Sequence, residues 1–399
     1  MRSLLRLYRD AFGGVPLRVW LICVVAFVNR AGTMVAPFLT LWLTEELHHD
    51  ADAAGRLLIA FGVGSVAGSW VGGPIARGLG GVPAMALSLF TTGLALLALG
   101  HMRSDVGLLC GLFAVGACGD AFRPASFAML AANAPPEVRT KSFALLRLAV
   151  NLGWAIGPTV GGKIAELDYA WLFPLDALSS FYACMFLLCV GHRLMPIDAA
   201  HGEDQLPDRS PWRDARFVCF AGTVLVLAMV FLQFAYTLPL QLTAVYGLSP
   251  EVIGHLLGLN AVVIVLFEMV LVHGLRGQRP LRLCATGALF IGIAFGIVGL
   301  GSSWSFAVLV VVLWTIGEML ESPQAMVWTT ARAGARSRAR YVATISAMWS
   351  VAALLAPWLG TWMWQRVGAQ WLWASCFVCA SGAALVQLII DRREVRDGR

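Results

Sequence analysis

Apolar runs of about twenty residues or more, separated by short polar joints, recur from residue 17 to residue 390. A helix needs about 20 mostly apolar residues to cross a hydrocarbon core of ~30 Å, and each run reaches that length or nears it. Read against Gly, Pro and charge breakers, the pattern predicts spans at 17–46, 52–76, 82–102, 104–134, 138–166, 170–191, 215–246, 250–275, 282–302, 304–331, 340–366 and 370–390. The expected fold class is therefore all-α and integral to the membrane, with twelve transmembrane helices. Ahead of the first span, Arg2, Arg6 and Arg9 alternate with Leu4, Leu5, Leu7 and Phe12, as in a short amphipathic helix on the membrane surface. No A-x-A-like cleavage site follows a short apolar region, so the first span is expected to stay as an anchor.

Composition narrows the function classes. Of 399 residues 59% are apolar and 13% charged, and the mean hydropathy is +0.75. No soluble enzyme with an ordinary core, and no disordered chain, has that balance. The nine cysteines lie in or beside apolar runs, which argues against a disulfide framework. Cys376 and Cys379 form a C-x-x-C with no second pair nearby, so neither a metal nor a cofactor is expected. No P-loop, H-E-x-x-H or nucleophile elbow is present, and the chain is not expected to be an enzyme.

The net charge of +6 comes from 27 Arg and 2 Lys against 23 acids. Alternate joints collect 22 basic residues on one side, Arg2, Arg77, Arg139, Arg213, Arg332 and Arg393 among them, against Arg56, Arg103, Lys163 and Arg366 on the other. Basic loops stay inside, so both termini are expected in the cytoplasm, the chain in the cell inner (plasma) membrane, and the basic excess needs no nucleic-acid partner. The longest polar stretch follows the sixth span. It divides the chain into an N-terminal segment (1–16), a six-helix half (17–191), a cytoplasmic linker (192–214), a second six-helix half (215–390) and a cytoplasmic tail (391–399).

The halves repeat. Pro124 and Pro323 are 199 residues apart, and so are Pro158 and Pro357, Arg139 and Arg338, Gly55 and Gly254, and Leu57 and Leu256. One ungapped offset relates spans two to five to spans eight to eleven. Two pseudo-symmetric halves related by an axis along the membrane normal make a transporter architecture.

Gly153-Trp-Ala-Ile-Gly157-Pro158-Thr-Val-Gly161-Gly162 in the fifth span is similar to the G-x-x-x-G-P-x-x-G-G antiporter signature. On it, and over essentially its whole length, the chain resembles the major facilitator superfamily, most closely its twelve-span drug:proton antiporter branch. The glycine spacing lets a helix approach closely and Pro158 bends the span, so these residues are expected to form a bendable seal between the halves. The loop Gly72-Gly73-Pro74-Ile75-Ala76-Arg77-Gly78-Leu79-Gly80-Gly81 stands where the superfamily carries G-x-L-A-D-R-x-G-R-R. It keeps glycines but has Arg77 in the acidic position. In the fourth span Leu112 precedes Gly116 where drug antiporters often carry Arg. Arg123-Pro124 is similar to the Lys-Pro of proton-coupled oligopeptide transporters, and Asn29-Arg30 faintly resembles their Glu-Arg. Gly317-Glu318-Met-Leu-Glu321-Ser-Pro323 looks like the tenth span of drug-efflux relatives.

Eight ionisable residues fall within the spans: Arg30, Asp120, Arg123, Arg147, Asp176, Glu268, Glu318 and Glu321. A charge at the bilayer centre costs at least ~2.5–3.5 kcal/mol, so each needs a partner, water or a neutral form. Five acids against three arginines leave about two to be protonated or solvated, which is what proton coupling requires. Asp120 and Arg123 share a face at i,i+3, and so do Glu318 and Glu321. The resemblance implies that the fourth and tenth helices line a central cavity. Glu318 and Glu321 are accordingly the expected proton sites, with Asp120 next. Arg30, Arg123, Glu268 and Arg147 are candidate counterions or substrate charges, although Asp120 with Arg123, and Asp176 or Glu268 with Arg147, are also readable as static pairs. Asn29, Gln233, Tyr236, Gln241, Asn260 and Gln324 are candidate substrate contacts, whereas most aromatics read as packing or interfacial belt.

The function expected is secondary active transport by alternating access, with a monomer as the working unit in the lipid bilayer and protons driving efflux of small amphipathic or lipophilic molecules. Two alternatives stand beside it: a proton-coupled importer of peptide-like or other polar solutes, and a membrane sensor or scaffold that moves nothing.

Overall fold

The computed structural model describes residues 13–194, 210–275 and 277–397. Most of the N-terminal segment and residues 195–209 of the linker lie outside the described residues, as do Arg276 and the last two residues of the tail. Among the described residues the chain is helix and turn throughout. In chain order the long helices are α1 (Leu17–Ala31), α2 (Ala51–Leu79), α3 (Gly81–His101), α4 (Asp105–Asp120), α5 (Phe122–Asn133), α6 (Arg139–Leu167) and α7 (Leu172–Gly191). They continue as α8 (Ala215–Phe231), two short pieces α9 (Gln233–Tyr236) and α10 (Leu238–Ala244), then α11 (Pro250–Gly274), α12 (Pro280–Ile297), α13 (Trp304–Trp362) and α14 (Ala369–Arg396).

Local chemistry sets where these helices start and break. Ser104 and Ser303 accept hydrogen bonds from the N–H groups of Gly107 and Phe306 and so cap α4 and α13. Gly80, at φ +91°, makes the turn from α2 into α3. The fourth span is interrupted between α4 and α5 because Pro124 has no N–H to offer the carbonyl of Asp120. Pro239 acts in the same way where α9 gives way to α10.

Among the described residues eleven helical runs are long and apolar enough to cross a membrane, and the last of them, Arg340–Arg396, has 57 residues. Straight, it would be ~85 Å long. It is not straight: Tyr341 and Ile390 belong to one buried cluster around Phe217. The reversal follows the wide turns at Met363–Gly368, which end on Gly368 at φ +110°. The run thus supplies two lengths of span, in keeping with the twelve expected. The long α13 also folds back, since Trp314 and Trp349 would be ~52 Å apart along a straight helix, yet their rings lie 6.0 and 5.6 Å from that of Phe231.

The chain divides into two compact units, Met1–Ala36 with Ala60–Gly202, and Pro37–Ile59 with Glu203–Arg399. Residues 37–59, assigned from sequence to the first six-helix half, therefore group with the second unit. The first unit's core joins α1, α3, α5 and α7 through Ile22, Met85, Leu89, Met129 and Leu187. In a bilayer apolar burial gives little drive, so close approach of small residues matters more. The main chain of α2 lies directly against that of α4: a Cβ on Gly64, Gly68 or Gly72 would come within 2.1, 2.1 and 2.5 Å of the carbonyls of Phe113, Ala117 and Ala121. The second unit uses the same device where α12 meets α13, at Gly287 and Gly317.

Candidate functional site

In the first unit, Arg123 and Asp120 sit on either side of the α4/α5 break, with Nη2 3.4 Å from Oδ1. The Arg123 side chain is 57% exposed, so the pair is loose and accessible rather than a buried clamp. Half-buried Arg30, at the end of α1, feels the charges of Asp120, Asp176 and Arg123. Asp176, 6% exposed, is not the partner of Arg147. Its Oδ2 accepts hydrogen bonds from the N–H groups of Met34 and Val35, both 3.0 Å, where the chain leaves α1 and backbone donors would otherwise be orphaned. Arg147 itself is exposed, and Asn29 is half-buried, its carbonyl accepting from the Thr33 hydroxyl.

The glycines of the fifth span serve the same helix end. A Cβ on Gly153 would lie 2.6 Å from Cβ of Arg30, one on Gly157 2.7 Å from the Thr33 carbonyl, and one on Gly161 3.0 Å from Cβ of Met34. With Pro158 and buried Gly162 on the same helix, this face is occupied within its own unit. The glycines bring α6 within backbone contact of residues 30–34 of the same unit.

The second unit separates the two glutamates of α13. Glu318 Oε2 accepts a 3.0 Å hydrogen bond from Asn260 Nδ2 on α11, and the same amide reaches Thr315 Oγ1 at 3.0 Å. Glu321, 6% exposed, faces α12: its N–H and Cβ close on Gly287, and its Oε2 lies 3.5 Å from the Ser322 hydroxyl. Three residues along a helix turn the side chain far enough to change neighbours, so shared proximity in sequence becomes two environments.

Of the polar residues expected to touch substrate, Asn260 instead holds Glu318. Gln233 is buried and spent: Nε2 donates to the carbonyls of Met229 and Ala356, and Oε1 accepts from Thr237. Buried Gln241 accepts from Trp364 Nε1 at 3.1 Å. These two therefore hold helices together rather than lining a binding surface. Tyr236 is buried, whereas Gln324 and Glu268 are half-buried.

Two features escaped the sequence reading. Phe231, Phe234, Trp314 and Trp349 form an aromatic cluster, with Phe234 and Trp314 centroids 5.2 Å apart. Trp314 lies one turn before Glu318, an i,i+4 spacing that was the available signal. The other is a charge network at the start of α8. Arg332 binds Asp214 through two 2.7 Å hydrogen bonds and Glu394 through a third, while Tyr341 and Trp328 donate to Asp214 and Glu394. Asp214 also accepts from the Phe217 N–H, and a capping residue just before an apolar run was its signal.

Burial pushes the Asp214 carboxyl up, but Arg332, the Phe217 N–H and Tyr341 together outweigh it and hold the group below the usual carboxylate range. A group held low contributes stability above its unfolded pKa of about 3.9 and loses it as pH falls through the folded value. Asp214→Asn is expected to cost ~2 kcal/mol at pH 7, since it leaves Arg332 half-paired. Melting of the purified protein at pH 7 and about pH 2 checks this: the deficit should shrink only once the pH is below the unfolded value of about 3.9, and equal melting of both forms at pH 7 would refute it.

Comparison with known proteins bears on these sites. The model of the Major Facilitator Superfamily matches residues 20–344. The chain is 22% identical to the uncharacterized MFS-type transporter YttB of Bacillus subtilis (strain 168) over 95% of this chain and 96% of that one. It is 26% identical to the multidrug resistance protein MdtH of Cronobacter sakazakii over 68% and 67% of the two chains. A POT family transporter solved in complex with 5-aminolevulinic acid superposes with a TM-score of 0.82 at 15% identity, covering 96% of this chain and 97% of its own, a likeness of fold.

Proposed function

This chain belongs to the Major Facilitator Superfamily and is a multi-pass membrane transporter, not an enzyme, and from that premise we propose that it exports small amphipathic or lipophilic compounds in exchange for protons, by alternating access. The observation that carries the reading is the pair of acids on α13. A buried carboxylate one turn from a second, hydrogen-bonded one favours holding a proton over carrying a second charge, and a site that gains and loses that proton biases one conformation against the other. The aromatic cluster beside Trp314 supports an apolar or aromatic substrate. The antiporter-like fifth span and the similarity to a protein named for multidrug resistance support the outward direction.

A second reading rests on Arg30 and the exposed Arg123, two cations against the one carboxylate of Asp120, a balance suited to an anionic or peptide-like solute moving inward with protons. Everted (inside-out) membrane vesicles, energised with an acid interior and given a panel of amphipathic amines and dyes, separate the two. The exporter is expected to discharge the proton gradient on addition of its substrate. Uptake with proton entry in right-side-out vesicles, without discharge in everted ones, would replace export with import. No response in either would refute transport of the panel by proton exchange.

A further inference from the structure

Two arginines of the second unit converge on one acid. Arg279, the residue just before α12, and Arg282, in its first turn, reach across to Asp391 near the end of α14. Arg279 Nη1 lies 3.2 Å from Oδ1 and Arg282 Nε 2.9 Å from Oδ2, so the two guanidiniums stand side by side on the two oxygens of a single carboxylate. The Asp391 side chain is 6% exposed, whereas those of Arg279 and Arg282 are 38% and 58% exposed. One buried negative charge thus holds two accessible cations, and the cluster stays net positive. Each guanidinium spends one N–H on Asp391, and among the described residues neither has another partner. What remains is a pair of fixed forks with spare donors, the arrangement that takes a phosphate in bidentate geometry.

The surroundings select which phosphate. Arg282, Thr286, Leu289 and Ile293 follow at i, i+4, i+7 and i+11, so they share one face of α12, and all four are exposed. The Thr286 hydroxyl donates to the Arg282 carbonyl at 2.9 Å, which leaves hydrocarbon as the surface below the guanidinium. Arg282 is at the start of the span Pro280–Leu300, and at a rise of ~1.5 Å per residue Leu289 and Ile293 lie roughly 10 and 16 Å deeper, within the hydrocarbon core. We propose that Arg279 and Arg282, set by Asp391, bind the phosphate of an anionic phospholipid whose acyl chain runs down Leu289 and Ile293. A free phosphate would use only the upper part of this surface. Exposed Arg392, next to Asp391 in the chain, adds positive potential that favours an anionic over a zwitterionic headgroup. The site is independent of the direction of transport and of the acids on α13.

Native mass spectrometry of the full-length protein, titrated with phosphatidylglycerol and separately with phosphatidylcholine, tests this. Wild type is expected to retain phosphatidylglycerol in preference to phosphatidylcholine, and equal retention of the two would overturn the site whatever the variants do. Arg279→Gln and Arg282→Gln should each lower phosphatidylglycerol retention about five-fold, the effect of one basic residue near an anionic surface, with phosphatidylcholine unchanged. Each leaves Asp391 paired with the other arginine, so both are expected to fold, and melting curves check it; should one fail, the other decides. Arg77→Gln removes the same charge from an exposed position at the end of α2 and should alter neither lipid. Undiminished phosphatidylglycerol retention in a variant that melts lower than wild type would make the cluster a tie between α12 and α14 alone and overturn the lipid site. An equal fall in Arg77→Gln would overturn its placement at this cluster. Displacement of phosphatidylglycerol by inorganic phosphate at equal concentration would overturn the lipid in favour of a free phosphate.

Discussion

Glu321→Gln is expected to reduce substrate-driven proton release from everted vesicles at least ten-fold while leaving the protein folded. Glutamine has the shape of the protonated acid and keeps an oxygen for Ser322, so packing against Gly287 is preserved. What is lost is the ability to take up and give back a charge. A charge at membrane depth is worth ~2.5–3.5 kcal/mol, enough to shift a two-state ratio by about two orders of magnitude. Fixing the neutral form removes that leverage. Glu318→Gln is expected to weaken coupling less, because its amide oxygen still accepts from Asn260. Proton movement measured with a pH-sensitive dye, beside substrate binding measured on the same preparations, separates lost coupling from lost binding. Full coupling in Glu321→Gln would remove this residue as the proton site.

Gly153→Leu is the second large effect. Even a methyl there would lie 2.6 Å from Cβ of Arg30 and 2.8 Å from the N–H nitrogen of Ala31, and nothing at that distance is a flexible chain end. Overpacking commonly costs about 1–3 kcal/mol, and forcing α6 away from residues 30–34 also strips the packing that holds Asp176 against Met34 and Val35. The expected outcome is a loss of at least ~3 kcal/mol, seen as low yield and a lower melting temperature in detergent. Gly222→Ala, in α8, is the contrast: its Cβ meets nothing within 4 Å. Helix propensity predicts that it is neutral or stabilising by up to ~1 kcal/mol. Equal melting of Gly153→Leu and wild type would show that the fifth-span glycines are not a packing surface.

The span pattern was legible because membrane spans announce themselves by length and hydropathy. Pro124 showed in advance where the fourth span breaks, whereas Pro158, Pro323 and Pro357 lie inside unbroken helices. Partners were less legible. Asp176 read as an intramembrane charge in search of a cation, and its partners are two backbone N–H groups, which every sequence has everywhere. Gln233 and Gln241 read as ligand contacts because they are polar in an apolar run, yet the fold uses that polarity to tie α9 and α10 to Ala356 and Trp364.

By itself, then, the sequence determined the membrane class, the helix ends set by Pro, Gly and capping residues, the repeat at 199 residues, and which charges must be accounted for. These are local or additive properties, decided by transfer energy and backbone stereochemistry along the chain. Only the tertiary structure decided that Glu318 meets Asn260 while Glu321 meets Gly287, that the fifth-span glycines seat on residues 30–34, and that residues 37–59 join the second unit. Those outcomes depend on the rotation of one helix about its axis against another. A turn of 100° per residue follows from 3.6 residues per turn, but the neighbour that a given face meets is fixed by packing across hundreds of residues.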